Sequence, residues 1–521
     1  MKLENIQQYI PKNTTTKWHG NTAVFEVSHA EIVEVAQALY KNLPLKLITA
    51  ADERQESGVF KIFYVFGVPK ENAFVVPFIQ LKNIKEFPSL TPTIHEAWGY
   101  ERKIRTFFGL TPVGHPDSRP LILHENWPSD EFPLRKDFHW GKRPEKAKGL
   151  YAFEKVEGEG VYEIPVGPIH AGIIEPGHFR FSVAGEEILL LEARLGFVHK
   201  GTEKLFEVLS LPQKVQLSEK VSGDSSFSHS LAFCQAVESL NDIPIPKRAR
   251  LLRVVFAELE RIANHIGDIG FIMLDTGFNF GGTNGSRLKE MVMQINEYLT
   301  DSRFLRGVNA IGGAAKDISK EQQRETLKRL ETIIKDFSAV VDIARDNASL
   351  LNRLEGTGIL AAQVAAAHGV VGVAGKALGI EKDARVDYPY AAYDELQLNE
   401  IAKEQKGDVY ARFNVRIKEV YASHELIKNA LEHLPEGELC ARSETLSLKK
   451  NALGISIVEG WRGDIVYFIT TDTEGNISRV APRDPSFVNW IAVGLAGPGN
   501  IVPDFPLINK SFNLSYSGND L

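Results

Sequence analysis

Apolar residues recur at every third or fourth position through three long stretches of this chain. In K-R-A-R-L-L-R-V-V-F-A-E-L-E-R-I-A-N-H-I-G, Leu252, Val255, Leu259, Ile262 and Ile266 share one helical face, and Gly267 reads as the stop. The run from Glu321 to Leu354 brings Leu327, Leu330, Ile334, Phe337, Val341 and Ile343 near one face, and Val409 to Leu434 behaves similarly. Three such helices can build a bundle by burying those faces against one another. Earlier in the chain the pattern changes. H-A-E-I-V-E-V-A-Q-A-L-Y reads as a helix, whereas K-I-F-Y-V-F-G-V (61–68) and A-F-V-V-P-F-I-Q (73–80) are dense in β-branched and aromatic residues and read as strands. F-R-F-S-V-A-G-E-E-I-L-L-L-E-A-R-L-G-F predicts a hairpin turning at Gly185. W-R-G-D-I-V-Y-F-I-T-T-D-T-E-G-N-I-S-R-V reads as strand, turn, strand, and the tail after Pro503 as irregular, largely uncharged and buried.

The predicted fold class is therefore α+β. A small N-terminal α/β domain over 1–140 carries an extended arm, because T-P-V-G-H-P-D-S-R-P and N-W-P-S-D-E-F-P-L-R-K-D-F are punctuated by Pro and Gly. A mainly helical large domain, a helix bundle with peripheral β hairpins, follows over 141–521. Composition agrees: 521 residues with 43% hydrophobic content can bury more than one core.

Charge and cysteine usage narrow the function. A net charge of -7, with Lys and Arg spread along the chain, argues against nucleic acid as a partner. Cys234 and Cys440 lie far apart and form neither a CxxC pair nor a four-thiolate cage, so an iron-sulfur cluster must belong to another subunit. M-K-L-E-N-I-Q-Q-Y-I-P lacks a basic region followed by an apolar one, and no run reaches ~18 uncharged apolar residues, so a soluble cytoplasmic chain is expected, free to sit on a membrane complex. G-V-V-G-V-A-G-K-A, Gly369 to Ala377, fails as a phosphate loop: Val370 stands at the first Gly position and Ala377 follows Lys376. No G-x-G-x-x-G follows a predicted strand, so the chain is not expected to bind NAD itself.

Two segments carry candidate chemistry. H-A-G-I-I-E-P-G-H holds His170, Glu175 and His178; the residue types would suit zinc, but the spacing of eight does not match a helix, and a structural or proton-handling role is favoured. Glu175, flanked by Ile173, Ile174 and Pro176, is expected to be enclosed, with a raised pKa suited to relaying protons. In E-K-V-S-G-D-S-S-F-S-H-S, Ser222 and Ser225 stand three apart ahead of a helix. Asp224, Ser225 or Ser226 is expected to cap that helix, contributing ~1 kcal/mol.

These segments carry a family resemblance. Residues 85 to 137, with F-P-S-L-T-P, E-A-W-G-Y-E-R-K-I-R-T-F-F-G-L, G-H-P-D-S-R-P and P-L-R-K-D-F, resemble the small C-type chain of the peripheral arm of respiratory complex I. Residues 163 to 521 resemble its D-type neighbour at the quinone site and, more closely, the large subunit of energy-converting nickel-iron hydrogenases of the formate hydrogenlyase and hydrogenase-4 types. The matching runs include G-P-I-H-A-G-I-I-E-P-G-H-F-R-F, R-L-G-F-V-H-K-G-T-E-K, A-E-L-E-R-I-A-N-H-I-G-D, N-A-I-G-G, D-Y-P-Y-A-A-Y, R-D-P-S-F-V-N-W and I-V-P-D-F-P-L-I. The whole is thus similar to a fused C/D chain of complex I.

The resemblance implies a hydrogenase large subunit-like fold and a set of roles. The family grips nickel and iron with two CxxC pairs; here the four positions hold Ser222, Ser225, Ser515 and Gly518, which supply no thiolate. An active hydrogenase is therefore not expected, and no cofactor is expected on this chain. By resemblance, Glu175 matches a proton-relay glutamate and Arg385 an arginine near the active cavity, while Lys220 and Arg306 lie beside a partner's iron-sulfur cluster. His170 and His229 are further cofactor-facing candidates. The family's quinone-binding tyrosine falls near Gly223, and its histidine within Ile174 to His178. The expected function is that of a peripheral-arm component of a membrane-bound, ion-translocating oxidoreductase complex. Its metal-free cavity would pass electrons to quinone or another small acceptor, with Glu175, His178 and Asp224 delivering protons. The alternative is a catalytically silent scaffold joining the iron-sulfur arm to the membrane arm. Implied partners are a small iron-sulfur protein resembling the B-type chain of complex I, a ferredoxin-like protein, and membrane proteins resembling its H-type chain and antiporters, on the cytoplasmic face of the membrane.

Overall fold

The computed structural model describes residues 6–12, 14–396, 398, 400–441 and 447–521; the first five residues of the N-terminal run considered above lie outside the described residues. The chain is α+β, with small sheets flanking a helix bundle. Its N-terminal sheet is built from β1 (Thr16–His19), β2 (Thr22–Glu26), β3 (Leu45–Glu53), β4 (Val59–Val68) and β5 (Ala73–Leu81), with helix α1 (Ile32–Tyr40) between β2 and β3. The strand order is β1-β2-β5-β4-β3; β2 and β5 run parallel and the other pairs antiparallel. β4 and β5 fall where the aromatic and β-branched runs predict them, and both are buried along nearly their whole length.

Helix α2 (Trp98–Phe108) ends at Gly109, whose φ of 66° and crowding by the Phe132 ring, 2.5 Å from where a Cβ would stand, leave room only for glycine. Beyond a three-residue strand, Thr111–Val113, the chain runs on to residue 160 without helix or strand. It then enters an antiparallel sheet of β6 (Val161–Val166), β7 (His178–Ala184) and β8 (Glu187–Arg194), the last two joined by the predicted hairpin, with Gly185 at φ 64°. The extended arm is fastened across β8. Arg194 donates to the carbonyls of Pro120, Leu121 and Leu123 and pairs with Glu125 at 2.9 Å, and a His124 ring nitrogen lies 2.8 Å from the Leu195 carbonyl.

The bundle comprises α3 (Ser226–Asn241), α4 (Lys247–Asp275), α5 (Asn279–Thr300), α6 (Lys320–Arg345) and α7 (Val409–Glu432), with α4 packed between α5 and α7. Two sequence expectations change here. Gly267 does not stop α4, which continues to Asp275. It and Gly270 sit instead at the crossing with α5, where the Gly285 Cα lies 2.9 Å from the position of a Gly270 Cβ. Ile343 is 47% exposed and leaves the buried face of α6, because Leu330, Phe337, Val341 and Ala344 carry the period.

The C-terminal sheet is a meander of β9 (Leu453–Gly460), β10 (Gly463–Thr471) and β11 (Ile477–Arg483). β9 and β10 close on a two-residue tip, Trp461 and Arg462, with Glu459 opposite Asp464. After α8 (Pro485–Leu495) the tail is not irregular: α9 (Phe505–Phe512) and α10 (Tyr516–Asp520) make up most of it. Its short helices are held by burial, Phe505, Leu507, Ile508, Phe512 and Leu521 being inside, as the uncharged composition indicates. β3 and the C-terminal sheet are pinned together by a buried Lys46–Asp464 ion pair at 2.8 Å and by Arg479 donating to the Ala50 carbonyl. Among the described residues no helix is long and apolar enough to cross a membrane.

Candidate functional site

Two turns distant in sequence meet beneath the tip of the β9–β10 hairpin. One is the Ser222–Ser225 turn ahead of α3, closed by the Ser225 N–H on the Ser222 carbonyl at 3.0 Å. The other is the start of α10, where Ser515 is the N-cap and its Oγ accepts from the Gly518 N–H at 2.9 Å. Ser222 Oγ lies 2.8 Å from Ser515 Oγ and 2.8 Å from Asp224 Oδ1, and Ser515 Oγ lies 3.3 Å from Ser517 Oγ. Three hydroxyls thus stand in a row, each able to donate and accept. Ser222 and Ser515 are almost fully buried, at 1% and 4% exposure. Gly518 is bare for a steric reason: a Cβ there would come 2.6 Å from the Asp484 carboxyl carbon. Ser225 sits at the edge, its Oγ 3.5 Å from both Asp224 and Arg462.

Asp224 closes the row at one end. Arg462 grips it with two nitrogens at 2.7 and 2.6 Å, donates to the Asn513 carbonyl and stacks on Trp461. Burial alone would raise the Asp224 carboxyl, but the Arg462 charge and hydrogen bonds override it and hold it at about 2. At neutral pH Asp224 is therefore an ionised anchor. It does not cap α3. The first free N–H groups of that helix, on Phe227 and Ser228, go to Glu260 of α4 at 2.7 and 3.1 Å, because Asp224 is turned towards Arg462. Burial pushes Glu260 up to about 7.

The other residues singled out from sequence divide into three groups. Glu175 reaches the row from the far end: its Oε2 accepts the Ser517 N–H at 3.1 Å. Its apolar neighbours do not enclose it, since Ile173 is 84% and Ile174 39% exposed and both point outward. A ring nitrogen of His170 lies 2.7 Å from the Gly177 carbonyl and one of His178 lies 3.3 Å from the Gly167 carbonyl, so both imidazoles are engaged by their own loop. Burial lowers the His178 pKa, which keeps it neutral.

The second group faces outward. Lys220 and Arg306 are both exposed around Gly223; Arg306 Nε lies 3.4 Å from Ser226 Oγ, and Arg306 stacks on the exposed Phe304 ring. Lys200, not anticipated from sequence, donates to the Lys220 and Val221 carbonyls at 2.6 and 3.0 Å and fixes the turn from outside. The third group is internal. A ring nitrogen of His229 lies 2.9 Å from Asp484 and the other 3.2 Å from the Tyr467 hydroxyl, directly behind Gly518. Arg385 lies apart from the serine row, in a separate buried cluster where it forks onto Asp383 at 2.9 and 2.7 Å and meets Glu258 at 3.2 Å.

Arg462, Glu260 and Asp484 belong to this site without being singled out by sequence reasoning. Arg462 and Asp484 lie in the motifs W-R-G-D and R-D-P-S-F, which read only as strand and family pattern. The donor set is hard, hydroxyl and carboxylate, with glycine at one position and the Arg462 cation beside it. Such groups move and hold protons but do not suit soft metals. Among the described residues no group of three or more His, Cys, Asp or Glu side chains is placed to hold a metal ion.

Comparison with known proteins bears on this arrangement. Residues 25–144 match the family described as respiratory-chain NADH dehydrogenase, 30 Kd subunit, and residues 275–456 the 49 Kd subunit of the same enzyme. Formate hydrogenlyase subunit 5 of Escherichia coli (strain K12) is 33% identical over 497 residues, spanning 94% of this chain and 87% of that protein. Hydrogenase-4 component G of the same organism is 34% identical over 496 residues, spanning 94% and 86%. The C/D subunit of NADH-quinone oxidoreductase from Phocaeicola vulgatus is 26% identical over 466 residues, spanning 85% and 88%.

Proposed function

This chain belongs to the family of the respiratory complex I 30 and 49 kDa subunits and their hydrogenase relatives, with both modules fused, and from that premise we propose that it works without the nickel-iron centre of its hydrogenase relatives. In this reading it is a peripheral-arm component of a membrane-associated, ion-translocating redox complex. The carrying observation is the 2.8 Å contact between Ser222 Oγ and Ser515 Oγ. Two positions at which the family resemblance puts thiolates are joined to each other by hydroxyls, and a third, Gly518, is closed against any side chain by Asp484. A hydroxyl with alcohol-like acidity does not replace a thiolate for nickel or iron.

What remains is a path for protons beside a positive surface. The hydroxyls of Ser517, Ser515 and Ser222, ending on Asp224, supply successive donors and acceptors, and Glu175 stands at the far end of the row, held by the Ser517 backbone N–H. Lys220 and Arg306 carry positive charge on the outer side of the same turn, where it would favour arrival of an electron on a partner's iron-sulfur cluster. Electrons would then pass to a quinone or another small acceptor. The partners in this reading are a small iron-sulfur protein, a ferredoxin-like protein and ion-moving membrane proteins on the cytoplasmic face.

Metal analysis of the purified complex tests the first part: nickel in one-to-one ratio with this chain overturns it. A scaffold reading is favoured by one observation, the close-packed state of Ser222 and Ser515. Glu175→Gln separates the two. With intact assembly, the redox reading expects loss of most electron transfer or ion pumping, about tenfold or more, and the scaffold reading expects wild-type rates.

A further inference from the structure

On the other side of the β9–β10 tip from the serine row lies a cluster of buried charges that does not balance. Its cations are Arg261 on α4 and Lys376 and Arg385 on the segment between the helices. Its anions are Glu258 on α4, Asp383, Glu419 on α7 and Glu459 at the end of β9. Three cations against four carboxylates leave one negative charge over, among groups buried too deeply for bulk solvent to screen.

An added proton has few places to go. His265 sets one ring nitrogen 2.7 Å from Glu419, while its Nδ1 is buried without a partner; a second proton would strand an N–H there, and burial lowers this pKa. Glu258 receives Arg261, Arg385 and the hydroxyls of Tyr393 and Ser423. Asp383 receives the Arg385 fork and Lys376 at 2.6 Å, and Glu419 receives Lys376 at 2.7 Å. Glu459 is the carboxylate held least: Lys376 approaches only to 3.2 Å, and the remaining donor is the Ala384 N–H at 2.9 Å. Facing it from β10 is Asp464, itself satisfied by Lys46 and Arg483. The Tyr390 hydroxyl is turned to the Glu459 backbone N–H.

We propose that Glu459 is a proton-binding site of this protein, which takes up the one proton that neutralises the excess negative charge of the cluster and transmits its gain or loss through the two-residue hairpin tip to the Arg462–Asp224 pair. Burial, and the Asp383 charge after it, lift the Glu459 carboxyl to about 7, whereas Glu258, Asp383 and Glu419 are held below the usual range. The connection is short. Glu459 faces the ionic cluster, and Arg462, three residues on, grips Asp224. Binding of the proton stands on the cluster alone; its use in a redox cycle rests on the reading in the preceding section.

Infrared titration of the intact chain, without electron donor, tests the site between about pH 5 and about pH 9. The expected result is a deuterium-sensitive carboxylic acid band that disappears with a midpoint near 7 and is absent from Glu459→Gln. Recording both proteins in a Glu260→Gln background removes the other carboxyl raised to about 7. Asp224→Asn, by freeing the Arg462 cation at the hairpin tip, is expected to move the midpoint lower, and an unmoved midpoint overturns the transmission. A band of midpoint near 7 that survives undiminished in Glu459→Gln, or no such band at acid pH, overturns the proposal. If Glu459→Gln does not fold, Glu459→Asp must shift the band frequency, and an unchanged band is equally fatal. With no electrons supplied, none of these outcomes depends on which acceptor, if any, the complex uses.

Discussion

The two sides of the β9–β10 tip solve the problem of buried polarity in opposite ways. On the side of Lys376, four carboxylates are set against three cations by groups drawn from α4, α7, β9 and the segment between the helices, each nearly fully buried. On the side of Ser222, one ion pair, Arg462–Asp224, anchors a row of neutral hydroxyls. Removing a member of the first leaves an uncompensated charge in a dry interior, whereas removing a hydroxyl from the second leaves at most an unfilled hydrogen bond. In the function proposed for this chain, the family's chemistry has been replaced on the side where replacement costs least. The ionic side holds the bundle to the C-terminal sheet.

Graded substitutions can break or sharpen this contrast. Lys376→Met should be the most damaging, because Asp383, Glu419 and Glu459 would face one another without their shared cation. A loss of about 3–5 kcal/mol in chemical denaturation is expected, and a loss below ~1 kcal/mol would erase the distinction. Arg462→Leu, which frees Asp224 and the Asn513 carbonyl, should cost about 1.5–3 kcal/mol in the same assay. Ser515→Ala should cost only about 1 kcal/mol and leave the fold intact, as Ser222 keeps its bond to Asp224 and the main loss is one N-cap.

The smallest effect is set by pH. Asp224 is held at about 2 against 3.8 in the unfolded chain, so its contribution is fully present above about pH 4 and lost as the pH falls through 2. The gap in melting temperature between wild type and Asp224→Asn should therefore close between those values. It should be modest, since 38% of the Asp224 side chain remains exposed to screening.

How much of this is legible in the sequence depends on how local each cause is. β4, β5, the Gly185 hairpin and the long helices announce themselves because period and composition are properties of neighbouring residues. β3 does not: its buried Lys46, Thr49 and Asp52 disrupt the apolar pattern, and the partner that makes Lys46 tolerable, Asp464, arrives 418 residues later. Gly267 misleads for the same reason, since only the approach of α5 explains a glycine inside a continuing helix. In the site, Ser222 and Asp224 stand out through the family pattern. Arg462 does not, because nothing near it in sequence hints at a carboxylate 238 positions earlier. Glu260 is hidden similarly, as a helix cap supplied by a different helix.

The fastening of the arm across β8 has its own consequence. One set of anchors, from the carbonyls gathered by Arg194 to His124, lies before residue 126, and a second, the Tyr151 hydroxyl and the Glu154 N–H on Glu192 of β8, lies beyond Leu150, which is itself 95% exposed. A peptide bond cut near Leu150 would sever the polypeptide without separating the halves. The two modules are stitched together by the seam rather than by the thread between them.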